Sequence, residues 1–158
     1  AVDLSEDRLE RARALGVQAA INPTKVDLRA ELVRLHGEVP SYGRVGVGTD
    51  AFIDAAGAPS ILGDVVKMAK FHSRLVITAA YMKPLEFPAG QMLTSEMTIT
   101  TAMGYPTEMP DVIAAMPRLK DKIAAMISHK LPFKDVMKGL EIAATPQSAK
   151  VMISFEES

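Results

Sequence analysis

Asp3 is the first residue in the chain placed to do chemistry. It follows Ala1-Val2 and precedes Leu4-Ser5-Glu6-Asp7-Arg8-Leu9, which reads as the end of a strand, an acid at its tip and a capped helix. A carboxylate at that point can accept hydrogen bonds from both hydroxyls of an adenosine ribose. It repels a ribose 2′-phosphate, which favours NAD over NADP, although the Arg8 guanidinium nearby could turn to a phosphate and moderates that preference. The glycine-rich turn that receives the pyrophosphate in such a unit belongs about 20 residues before the acid. Only Ala1 and Val2 precede Asp3, so the expectation is the later part of a nucleotide-binding domain, without its first strand and glycine-rich turn.

Other chemistry is sparse. There is no cysteine, and His36, His72 and His129 have neither the i, i+4 spacing nor the knuckle spacing of metal ligands. His129 reads as a structural residue at a strand end, and the ten methionines as core and interface filler. With 18 basic and 19 acidic residues interspersed over 158 positions, no basic footprint for nucleic acid is present. No apolar run is long enough to span a bilayer and no signal-peptide pattern opens the chain, so the expected setting is cytoplasmic, with no membrane partner.

The elements that must position Asp3 and any partners alternate in type. Ser5 caps a helix carrying Leu9, Ala12 and Leu15 on one face, with Leu4 and Leu9 as a staple pair and Gly16 as its stop. Residues 17–21 read as a short buried strand closed by Asn22-Pro23, and Asp27 caps a helix with Leu28, Leu32, Val33 and Leu35 inward, stopped by Gly37. Residues 37–50, with Pro40, Gly43, Gly46 and Gly48, read as a long exposed loop. Then come a strand and turn at 51–57, a helix at 60–71 with Ile61, Leu62, Val65, Val66 and Ala69 inward, a strand at 75–80, and a β-prone segment at 97–102. A helix from Pro110 to Met116, a strand at 126–128, a helix at 133–144 and a strand at 151–155 complete the chain. Such alternation implies a single α/β domain over residues 1–158, a doubly wound parallel sheet of Rossmann type with helices on both faces.

The segments Val2-Asp3-Leu4-Ser5-Glu6-Asp7-Arg8-Leu9, Ala14-Leu15-Gly16-Val17, Ile21-Asn22-Pro23 and Phe52-Ile53-Asp54-Ala55-Ala56-Gly57 occur in a telling order. They are followed by Met103-Gly104-Tyr105-Pro106-Thr107-Glu108, Met126-Ile127-Ser128-His129-Lys130-Leu131-Pro132-Phe133 and Lys150-Val151-Met152-Ile153. Together they resemble the C-terminal portion of the medium-chain dehydrogenase/reductase superfamily, the zinc-type alcohol and polyol dehydrogenases. The Gly-Tyr-Pro and Ile-Ser-His segments are most similar to the sorbitol, threonine and butanediol dehydrogenase branch, which oxidises secondary alcohols with NAD.

The resemblance implies a cofactor site made by Asp3 on the adenosine ribose, Arg8 at the adenine end, Ala55, Ala56 and Gly57 beneath the nicotinamide ribose, Thr78, Ala79 and Ala80 on the nicotinamide side, and backbone groups of Met103 and Gly104 for the carboxamide. Two departures stand out: Phe71-His72-Ser73 replaces the usual Pro-Gly-Gly, and Ala79 replaces a glycine that lets backbone approach the cofactor. The family's zinc ligands belong to an N-terminal domain outside this chain, so zinc is implied for a parent enzyme only, no catalytic or metal residue is assigned here, and the isolated chain is expected to be inactive. Pairing of the outer strand with a symmetry mate through segment 97–103, which carries Thr98, Ile99 and Thr100 between Met97 and Met103, is expected to give a homodimer or homotetramer. Alternatives are a zinc-free quinone oxidoreductase or enoyl reductase of the same superfamily, and a non-catalytic nucleotide-binding or interaction module. In a sheet of order 3-2-1-4-5-6, absence of the first strand separates the strands at Val2 and at 17–21 from those at Phe52, Leu75 and Val151. The chain is then expected to fold natively only when that gap is filled.

Overall fold

The computed structural model describes residues 1–104, 107–145 and 147–155. Along the chain run α1 (Glu6–Ala14), α2 (Leu28–His36), β1 (Glu38–Ser41), β2 (Arg44–Val47), β3 (Ala51–Asp54), α3 (Ile61–Met68) and β4 (Arg74–Ile77). They are followed by α4 (Ala89–Leu93), β5 (Thr98–Thr101), α5 (Met109–Ala125), β6 (Ile127–Pro132), a single 3-10 turn at Phe133–Asp135, α6 (Val136–Ala143) and β7 (Lys150–Ser154). The parallel strands flanked by helices define an α/β, Rossmann-like fold. These elements gather into two compact units, Asp27–Gly104 and residues 1–26 with the described part of 105–158.

In the unit Asp27–Gly104, β3, β4 and β5 form a parallel sheet in that order, Phe52 opposite Leu75 and Leu75 opposite Ile99. The apolar residues of α3 recur at helical spacing, so Leu62, Val65 and Val66 share one face and bury themselves against Leu75, with Phe52, Ile77, Met97 and Ile99 packed around them. Full burial of side chains of this size contributes about 1.5–3 kcal/mol each. The helix stops at Met68, short of Phe71: Ala69 turns extended, at φ −59° and ψ 135°, to bridge Val47. Strand β4 is likewise shorter than expected, ending at Ile77 where Thr78 and Ala79 turn their N–H groups back to the Asp54 carbonyl. Within segment 97–102, Thr98–Thr101 form β5, an outer strand of the sheet.

Residues 37–50 are not a loop. They form the antiparallel hairpin β1–β2, with Ser41 opposite Arg44 and Tyr42-Gly43 as a two-residue turn in which Gly43 takes φ +76°. A turn of this kind demands positive φ, which glycine adopts without steric cost. Pro40 is tolerated because the hairpin is two-stranded and leaves each strand an edge. Gly48 serves a second need: a Cβ there would stand 2.1 Å from the His36 carbonyl oxygen, so only glycine lets the hairpin return this close to the end of α2.

In the other unit, Ser5 caps α1 and accepts the Arg8 N–H, Leu9 is fully buried, and the helix ends with Gly16 at φ +91°. The staple is not made, since Leu4 is 69% exposed. The strand expected at 17–21 shrinks to one parallel bridge, Val2 to Ile21, held by Ile21 N–H to Ala1 O at 2.9 Å and Asp3 N–H to Ile21 O at 3.2 Å. Helix α5 runs past Met116 and through Pro117 to Ala125. The bond that Pro117 cannot make belongs to the carbonyl of Ile113, a residue 60% exposed, where water can replace the missing donor.

β7 pairs with β6 in its own two-stranded parallel sheet and not with the strands at Phe52 and Leu75. Its register shifts at Ser128, whose hydroxyl repairs the ladder by accepting the Ala149 N–H at 3.1 Å and donating to the Lys150 carbonyl at 3.1 Å. The expected strand at 126–128 is therefore the start of a longer one. The remaining pairings are the Val2–Ile21 bridge in one unit and β3-β4-β5 in the other, and among the described residues no strand pairs with the free edge of β3. Among the described residues no helix is long and apolar enough to cross a membrane.

Candidate functional site

Asp3 sits where the chain leaves its bridge with Ile21 and enters α1. Its Oδ1 accepts the Ser5 N–H at 2.8 Å, which fixes the side chain at the helix entrance, and its Oδ2 lies 3.9 Å from Arg8 Nη1. The carboxylate remains 34% exposed and Arg8 49% exposed, so both are reachable from solvent. Asn22 organises the same corner from the end of the bridge. It is buried, donating Nδ2–H to the Leu4 carbonyl at 3.1 Å and to Glu6 Oε1 at 2.7 Å, while its Oδ1 accepts from Thr24 N–H and Oγ1–H. The Asn22 donor, joined by Lys25, holds the Glu6 carboxyl below its usual range. In the sequence Asn22 stands as a turn residue and in the Ile21-Asn22-Pro23 segment of the family resemblance, and neither reading gives it this bonding role.

The other expected residues collect at one edge of the β3-β4-β5 sheet. Because the three strands are parallel, their C-terminal ends lie together, and the segments Ala55-Ala56-Gly57, Thr78-Ala79-Ala80 and Met103-Gly104 follow directly from those ends. Ala55, Ala56, Thr78 and Ala80 are exposed, Gly57 and Ala79 half-buried, and Met103 is 95% exposed beside Gly104 at φ +72°. Tyr105 and Pro106 of the Gly-Tyr-Pro segment lie outside the described residues. The replacement of glycine by Ala79 has a structural complement. Gly57 takes φ +70°, and a Cβ on it would lie 3.2 Å from the Ala79 Cβ and 3.1 Å from the Ala80 carbonyl oxygen, so the methyl of Ala79 occupies space that Gly57 leaves.

Asp54, the last residue of β3, is 3% exposed and holds the turns that follow β3 and β4. Its Oδ1 accepts the N–H groups of Ala56 at 3.0 Å and Gly57 at 2.9 Å, its Oδ2 accepts the Tyr81 hydroxyl, and its carbonyl accepts Thr78 N–H and Oγ1–H. Burial pushes its carboxyl upward, but the bonds from Tyr81, Gly57 and Ala56 outweigh that and leave it below the usual carboxylate range. Burial and the adjoining carboxylate push Tyr81 up to about 12. The partnership with Tyr81 was not legible locally, since Tyr81 lies 27 residues beyond Asp54.

Among the described residues no group of three His, Cys, Asp or Glu side chains is placed to hold a metal ion. His36 Nδ1 meets Thr49 Oγ1 at 2.7 Å, His72 Nε2 meets Glu96 Oε2 at 3.1 Å, and His129 Nδ1 meets Ser128 Oγ at 3.0 Å inside β6. Each histidine is thus engaged in a different part of the chain.

The parallel strands and their helices are those of a Rossmann-like α/β protein. Residues 1–118 match the zinc-binding dehydrogenase family, and the chain belongs to that family, within the medium-chain dehydrogenase/reductase superfamily. It is 26% identical to the L-threonine 3-dehydrogenase of Symbiobacterium thermophilum over 157 residues, which is 97% of this chain and 42% of that protein. Among solved structures, the rspB alcohol dehydrogenase of Escherichia coli CFT073, crystallised with NADH, matches with a TM-score of 0.80 and 26% identity over 98% of this chain and 43% of that one. The 2R,3R-butanediol dehydrogenase of Bacillus subtilis shares the fold with a TM-score of 0.80 at 22% identity, again over 98% of this chain and 43% of that chain. The chain therefore spans less than half the length of the relatives it matches.

Proposed function

We propose that this chain is the cofactor-binding portion of an NAD-dependent, zinc-type alcohol or polyol dehydrogenase that oxidises a secondary alcohol. The observation that carries the reading is the state of Asp3: an acid at the tip of a parallel pair, fixed by one backbone N–H and still 34% exposed, with lone pairs open to a diol. An adenosine ribose offers that diol. For the nicotinamide end, the exposed residues Thr78, Ala80, Met103 and Gly104 after the C-terminal ends of β4 and β5 are the ones that the resemblance to zinc-type dehydrogenases assigns.

Bound NAD supplies a nicotinamide that accepts hydride from the carbinol carbon. The chain's own residues bind and orient it. Asp3 accepts from the ribose hydroxyls and repels a 2′-phosphate, Arg8 flanks the adenine end, and the turn residues Ala55, Ala56 and Gly57 support the nicotinamide ribose. The described residues do not provide a zinc site, so no step of the reaction is assigned to a metal here. The isolated chain is accordingly proposed to be inactive towards secondary alcohols.

Ribose contacts are made in ground state and transition state alike, so their loss raises the Michaelis constant more than it lowers turnover. In the intact protein Asp3→Ala should raise KM for NAD about tenfold, the loss of roughly 1.4 kcal/mol of binding, with a smaller change in kcat. An unchanged KM for NAD would remove Asp3 from the cofactor site.

A further inference from the structure

We propose that Tyr81 is a positioning residue for the nicotinamide end of the cofactor, its hydroxyl latching the segment after β4 to the turn after β3 through the buried carboxylate of Asp54. The proposal rests on the cofactor reading given above and names what gives that site its shape.

Three observations carry it. First, the Asp54 carboxylate is surrounded by neutral donors: two turn amides on Oδ1 and the Tyr81 hydroxyl on Oδ2, with no salt bridge to it among the described residues. A buried carboxylate held this way is a fixed hub, because losing any donor leaves an acceptor without water to replace it. Second, the segment after β4 is anchored by backbone bonds only as far as Ala79, whose N–H, like that of Thr78, reaches the Asp54 carbonyl. Among the described residues, the only hydrogen bonds from Ala80 or Tyr81 to the turn after β3 come from the Tyr81 hydroxyl, which also lies 3.3 Å from the Ala58 carbonyl. Third, the two segments abut where Gly57 meets Ala79 and Ala80, so a small outward movement of Ala80 would open a gap beside the exposed faces assigned to nicotinamide.

Hydride transfer is steep in geometry, and a supporting group that moves by an ångström acts on turnover more than on affinity. The latch should therefore show a signature opposite to that of Asp3, whose loss acts mainly on affinity. Tyr81→Phe keeps the ring and removes only the donor. In the intact protein it is expected to lower kcat about tenfold and to alter the near-ultraviolet circular dichroism of bound NADH, while the Kd for NADH changes by less than about threefold. Asp54→Asn keeps the turn amides on Oδ1 but presents Nδ2–H to the Tyr81 oxygen, reversing the bond, and should lower kcat less than Tyr81→Phe does. Tyr42→Phe, at the hairpin tip and 83% exposed, should leave every readout unchanged.

A fall in kcat with an unaltered NADH band would make Tyr81 merely structural and overturn the proposal. Wild-type kinetics in both variants would overturn it too. Should the wild-type protein itself fail to bind NADH, the cofactor reading falls and the latch with it, a result visible before any variant is made.

Discussion

Asp3 and Asp54 are both acids at the ends of strands, and their surroundings divide them. Asp3 keeps open lone pairs and can serve a ligand; Asp54 has spent its acceptors on Ala56, Gly57 and Tyr81 and serves the fold. The division has a pH signature. Asp54 titrates below its ordinary 3.8, so its stabilising contribution is present above that value and is lost as pH falls through the lower folded value. Tyr81 is raised from 10.0 to about 12, so its contribution is full below 10.0 and disappears as pH rises through about 12. Urea unfolding of Tyr81→Phe at neutral pH should show a loss of about 1–3 kcal/mol, and the gap between variant and wild type should close over that alkaline window. A gap that persists unchanged to the top of the window would mean that the hydroxyl makes no such bond. The place of Asp3 at the entrance of α1 was legible from the sequence because it depends on its neighbours along the chain; the Asp54–Tyr81 pair depends on strand order and register, which no local pattern carries.

Among the elements, the helices were legible where capping and periodicity agreed. Ser5, Asp27, Gly16 and Gly37 mark the ends of α1 and α2 as read, and the inward residues of α3 are the core of their unit. The misreadings occur where tertiary pairing decides. Ala69 leaves α3 for Val47, and residues 38–47 pair with each other despite Pro40 and two glycines, because Gly43 makes the turn and Gly46, with Gly48 just beyond, permits close backbone approach. Two substitutions test that account. Gly48→Ala forces a methyl against the His36 carbonyl and should destabilise by about 1–3 kcal/mol or more. Gly63→Ala, inside α3 with nothing within 4 Å of the new carbon, should stabilise by about 0.5–1 kcal/mol. Denaturant midpoints that move in the same direction for both would contradict the packing described here.

At the scale of the molecule, the outer strand β5 is the exposed edge of the parallel sheet. Thr98 and Ala102 direct their N–H groups inward, to Ser73 and Ile77, so the alternation of a strand turns those of Ile99 and Thr101 outward. A second copy of the protein can pair there, and we expect the intact protein to be dimeric through segment 97–103. Thr101→Pro removes an outward donor without touching the β4 ladder and should shift sedimentation from dimer towards monomer; a wild-type monomer, or a dimer indifferent to the substitution, would contradict the assignment.

The central claim concerns what the strand ends are for, and a crystal structure of the intact protein with NADH tests it most directly. The account predicts the adenosine ribose hydroxyls within hydrogen-bonding distance of the Asp3 carboxylate and the nicotinamide against Thr78, Ala79 and Ala80, with Met103 or Gly104 backbone on its carboxamide. A bound NADH whose ribose leaves Asp3 engaged only with Ser5 and Arg8, or whose nicotinamide lies away from the β4 and β5 ends, would contradict it.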